Sequence, residues 1–157
     1  MTDFSLSRSG NVIFLFLILA LIGCKSNGSP GQLPDPADEL KKELTSLVKS
    51  LESADTARTD SINILSFNTL MDFYRDRNFE PAWILRDSGT GWSDSMVELI
   101  QNARLFGLFP DQYHLKELTG SQAAIQHDTL RTGIRKNPIA LARMELLLTD
   151  AFLTMAR

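Results

Sequence analysis

Asn137-Pro-Ile-Ala-Leu-Ala-Arg-Met-Glu-Leu-Leu-Leu-Thr-Asp-Ala-Phe-Leu-Thr-Met155 is the stretch on which the fold turns. Asn137 followed by Pro138 is a helix start: an N-cap acceptor, then a residue whose missing amide hydrogen costs nothing in the first turn. From Ile139 to Met155 the segment is apolar nearly all round, with Leu146, Leu147 and Leu148 consecutive. A helix without a polar face has to be covered on several sides. The rest of the body is therefore expected to wrap around it. Because this helix is followed directly by Arg157, further covering surface is expected from a downstream region or another subunit. Glu145 and Asp150 lie on the same helix and need partners or a route to water. Arg143, Arg135 or the Arg75/Arg77 pair are the expected partners, and packing is favoured over catalysis.

Working back toward the amino terminus, helical periodicity dominates. Leu40, Leu44, Leu47, Val48 and Leu51 fall on one stripe of a helix expected over Asp38 to Ser53. A second helix is expected over Ile62 to Asp76. Pro81 then imposes an extended stretch, and Asp87 to Trp92 reads as a turn. A third helix starts near Ser93 or Ser95, the latter pairing with Glu98 as a capping box. Gly107 is placed to end that helix, with short turns from Pro110 to Leu118. A weakly periodic helix is expected over Ser121 to Thr132. The fold class is all-α, a compact helical domain incomplete at its carboxyl-terminal end.

Composition narrows the function. The chain has 157 residues, 43% hydrophobic and 22% charged, with a formal net charge of −3. No basic stripe is available for nucleic acid. Two histidines and one cysteine exclude a familiar zinc site or an internal disulfide, so no metal and no cofactor are expected. His127 sits in a polar stretch as an exposed side chain. Trp83 and Trp92 could stack on sugars, but anchoring onto the core is favoured.

The amino terminus has a different character. Val12 to Gly23 reads VIFLFLILALIG, too short for a permanent span and of the length of a secretory h-region. It ends in Leu21-Ile22-Gly23-Cys24, which resembles the lipobox of bacterial lipoproteins. The resemblance implies cleavage after Gly23 and acylation of Cys24, with a signal-anchor helix as the alternative. Residues 24–37 are rich in Gly, Pro and Ser and read as a flexible tether. The expected organisation is a signal over 1–23, a lipidated tether over 24–37 and a body over 38–157. The expected location is the bacterial envelope, membrane-anchored and facing the periplasm.

Three further stretches resemble the scaffold domain of large L,D-transpeptidases, which cross-link peptidoglycan. The first contains Phe73, Tyr74, Arg77, Phe79, Pro81 and Trp83. The second contains Gly107, Leu108, Pro110, Tyr113 and His114, with Gln112 where the family usually has Asp. The third is Leu147-Leu148-Thr149-Asp150-Ala151-Phe152. In the family's catalytic domain a cysteine thiolate takes the acyl group of a stem peptide, helped by a histidine. That motif is missing here, and Cys24 is assigned to the lipobox. The resemblance thus implies a non-catalytic scaffold that docks onto peptidoglycan or a cell-wall enzyme. A fragment of a complete transpeptidase and an independent helical binding module remain the alternatives. His114 is read as structural, in a turn that Asp111 caps and Tyr113 packs, over a role as general base or as a binder of a cell-wall carboxylate.

Overall fold

The computed structural model describes residues 35–54, 58–59, 62–84, 91–130 and 133–157. The proposed signal, Gly23, Cys24 and most of the tether lie outside the described residues. So do residues 85–90, which include most of the turn expected before Trp92. Among the described residues there are five α-helices. These are α1 (Pro36–Ser53), α2 (Phe67–Asp76), α3 (Gly91–Gln101), α4 (Leu115–His127) and α5 (Pro138–Met155). Between α1 and α2 lies a minimal antiparallel ladder of β1 (Arg58–Thr59) and β2 (Ile62–Asn63), in the register Arg58 to Asn63 and Thr59 to Ile62. The class is all-α, as the periodicity predicts.

Helix α5 is the centre of the body. Asn137 caps it, its side-chain oxygen accepting from the Ala140 amide at 3.1 Å, with Pro138 in the first turn. Ala142 and every residue from Met144 to Ala151 are buried. Helix α1 lies along it through Leu40, Leu44, Val48 and Leu51, while α2, α3, α4 and the short turns cover its other sides. Over its middle turns the all-round apolar character of α5 thus has its physical counterpart in cover by its own chain, while Ile139 and Phe152 toward its ends are exposed.

Boundaries differ from the expectations in four places, each with a local cause. Helix α1 begins at Pro36, two residues early, because Asp35 is the N-cap and accepts from the Ala37 amide at 3.0 Å. Helix α2 begins at Phe67 instead of Ile62, because a carboxylate elsewhere captures the amides of Leu65 and Ser66. Helix α3 begins at Gly91, and Ser95 makes no capping box: its hydroxyl donates back to the Gly91 carbonyl. Helix α4 occupies Leu115–His127 in place of Ser121 to Thr132, so it starts as soon as the preceding turn permits.

Gly107 has φ +76°, the left-handed conformation that ends the 3₁₀ turn Ala103–Phe106 following α3. His114 also adopts the left-handed region, at φ +58°, between the 3₁₀ turn Pro110–Tyr113 and α4. Asn78 and Phe79 do so after α2, at +52° and +57°. An L-residue held there costs roughly 1–2 kcal/mol, so something must hold each one.

A buried carboxylate clamp on the central helix

Two acidic residues of α5, Glu145 and Asp150, have no measurable exposure. Neither is neutralised by the arginines expected from sequence. Arg75 instead pairs at the surface with Glu52 and Asp72. Arg77 donates to the carbonyls of Glu80, at 2.6 Å, and Pro81, at 3.2 Å. The carboxylates are satisfied largely by backbone amides, which a reading of side-chain types does not reveal.

Glu145 receives a whole segment. Its Oε1 accepts from the amides of Ala82 and Trp83, and its Oε2 accepts from Trp83 and Ile84, both at 3.0 Å. The segment is presented this way because the chain reverses after α2. Asn78 and Phe79 turn through left-handed φ, and the Phe79 amide donates to the Tyr74 carbonyl at 2.8 Å. Arg77 then fixes the carbonyls of residues 80 and 81 while Glu145 fixes the amides of 82 to 84. One charged side chain holds each polarity of the same strip of backbone.

Tyr74 and Thr149 complete the shell. The Tyr74 hydroxyl lies 2.7 Å from the Thr149 Oγ1 and 3.3 Å from Oε1 of Glu145. Thr149 donates to the Glu145 carbonyl and accepts from the Trp83 indole at 2.9 Å. Trp83 packs edge-on against Phe152, ring centroids 5.6 Å apart. Burial pushes the Glu145 carboxyl above its usual range, with the amide donors and Tyr74 pulling the other way. Burial, and secondarily the charge of Glu145, pushes the Tyr74 phenol well up, so it acts as a neutral hydrogen-bonding group.

Asp150 serves a second segment. Its Oδ2 accepts from the Leu65 amide at 3.0 Å, and its Oδ1 from Ser66 at 2.7 Å. His114 Nε2 lies 2.7 Å from Oδ2. The carboxylate therefore ties the entry of α2 and the left-handed corner before α4 to the central helix. Ser66, whose hydroxyl is 2.6 Å from that of Thr154, is buried with it.

The three stretches singled out by sequence converge here, though not every residue meets the clamp. Phe73 stacks edge-on with Tyr74 and carries the Arg77 guanidinium over its ring at 4.9 Å. Phe79 is half-buried beneath Lys49. Pro110 and Tyr113 are buried in the turn that delivers His114, and Leu108 is half-buried beside it. Asp111 is exposed and makes no cap, since the N-cap residue of that turn is Phe109 and no side chain fills the role. Gln112, the departure from the family pattern, is exposed. Leu147, Leu148 and Ala151 are core. Trp83 anchors as expected, whereas Trp92 does not: it is 70% exposed. His127 is exposed. Glu145 emerges as a hub, and its signal was an acid on an otherwise apolar helix. The parts of Leu65 and Ser66 left no signal, because their contribution is main-chain.

A family model described as a scaffold domain matches residues 68–157, more than half the chain. This chain belongs to that family, the L,D-transpeptidase scaffold. No curated protein and no solved structure gave a significant match. The scaffold domain is a non-catalytic region of the transpeptidase family. In this member the match opens just inside α2 and takes in residues 82–84 and His114, which the central helix holds, but not Leu65 and Ser66. Among its described residues no group of three or more His, Cys, Asp and Glu is placed to hold a metal. Among them, too, no helix is long and apolar enough to cross a membrane.

Proposed function

We propose that this protein is a lipid-anchored envelope protein whose helical body is a non-catalytic scaffold for peptidoglycan cross-linking, positioning or docking cell-wall material or a cross-linking enzyme. One observation carries this reading. The chemistry-bearing residues of the family stretches, Tyr74, Trp83, His114, Thr149 and Asp150, bond to one another, to Glu145 or to backbone. Residues spent on holding segments together are poor candidates for turning over a substrate. Acyl transfer of the family's type also needs a thiolate. The chain's single cysteine is Cys24, at the end of the apolar run and ahead of the body. The order of apolar run, Gly23 and Cys24 supports a lipoprotein anchor, and two or more acyl chains suffice for stable membrane attachment.

The purified chain is expected to leave tetrapeptide stems unchanged in a transpeptidation assay; turnover would overthrow the non-catalytic reading. Cys24→Ala should move the protein from the membrane fraction to the soluble fraction. Sacculi, or an envelope cross-linking enzyme, should retain the wild-type body; binding to neither would remove the docking role.

A further inference from the structure

One face of the body is apolar and open. Trp92, Met96 and Leu99 follow one another by four and three residues on α3 and so share a side of it. Met96 and Leu99 form one wall of an open groove of about 280 Å³, completed by Phe106, Leu108 and the end of α5. Next in sequence to the groove residues Phe106 and Leu108, Leu105 and Phe109 stand in solvent, 81% and 65% exposed. From Arg104 to Phe109 the only charge is the exposed, cationic Arg104.

We infer that this crest of Trp92, Leu105, Phe106 and Phe109 seats in the interface of the anionic bilayer to which Cys24 ties the body, so that the scaffold lies on the membrane in one orientation. The inference rests on the lipoprotein reading. Three features favour a lipid surface over other occupants. Ten residues, 25–34, separate the anchor from the N-cap of α1, a reach of roughly 35 Å. A tether that short makes docking intramolecular at an effective concentration on the order of millimolar, so a weak contact is enough. The most exposed side chains protrude. Fluid acyl chains accept protrusions of any shape, whereas a folded partner must offer matching hollows. Finally, Trp, Phe and Leu beside a cation are the chemistry of the membrane interface, where aromatic rings sit at headgroup depth and the guanidinium meets phosphate.

Trp92 is a built-in reporter. The lipidated full chain would be reconstituted into phosphatidylglycerol-containing vesicles with or without bromine on the acyl chains, then floated and its tryptophan emission read. Wild type is expected to float and to lose emission to the brominated lipid. The variant Leu105→Ser/Phe106→Ser/Phe109→Ser should float equally well and keep its emission; all three sites are exposed, and thermal unfolding checks that the fold persists. Wild type that floats without quenching would overturn the docking and leave the anchor intact. Wild type that fails to float would instead defeat the anchor. Concentration-dependent dimerisation abolished by the triple variant, without quenching, would assign the face to a second copy and overturn the inference.

Discussion

Glu145 and Asp150 show how a buried charge can be held almost wholly by main chain. Each amide that meets them would otherwise lose its acceptor, at about 1–3 kcal/mol where the donor is buried, as at Ser66. Asp150→Ala orphans the amides of Leu65 and Ser66 and strands His114. It should lower stability by on the order of 3 kcal/mol, read as a fall in the denaturant midpoint. Glu145→Gln keeps one acceptor but turns an amide NH₂ toward the Trp83 and Ile84 donors. It should cost about 1–3 kcal/mol. Its pH dependence is more telling. The Glu145 pKa is raised in the folded state, so the native form binds a proton more tightly than the unfolded chain. Wild type therefore gains stability from this group as pH falls from neutrality through the raised pKa toward the ordinary value of 4.5, and loses it as pH rises again. Glutamine has no such term. The stability difference between wild type and Glu145→Gln should widen in favour of wild type on mild acidification. A difference that narrows would contradict the assignment.

At the level of elements, the corners decide where helices begin and end. Gly107 takes φ +76°, and a Cβ built there meets nothing within 4 Å. The cost of Gly107→Ala is therefore conformational alone, expected at about 1 kcal/mol in thermal unfolding. His114 makes a different case, since its side chain is needed while its backbone is strained. His114→Ala and His114→Gly both lose the Asp150 contact, yet glycine accepts the left-handed corner freely. His114→Gly should be the more stable of the two by about 1 kcal/mol. Equal stability would mean that the corner is not strained. These corners also explain the shifted boundaries. Helix α2 was legible from its stripe, but its first turn was not. The amides of Leu65 and Ser66 are bound by a residue 84 or 85 positions away, which no local pattern can announce.

For the molecule as a whole, stability is concentrated around α5 and thins toward the apolar crest. Leu146→Ala, fully buried among α5's neighbours, should cost about 2–5 kcal/mol. Leu105→Ser, in the 81%-exposed position, should stay within about 0.5 kcal/mol of wild type. Both are checked by the same denaturant titration. The sequence alone established that the body is helical, that Asn137 starts a helix requiring cover on all sides, and which stretches mark the scaffold family. The first two follow from periodicity and capping, which act over a few residues, and the third from the resemblance of those stretches to the family's motifs. Only the tertiary structure decided how the two acids are satisfied, that Trp83 is an anchor while Trp92 is exposed, and that His114 belongs to the Asp150 clamp. The reason is physical: an amide carries no side-chain identity, so a carboxylate satisfied by backbone has a partner that appears only once the chain has brought the two together.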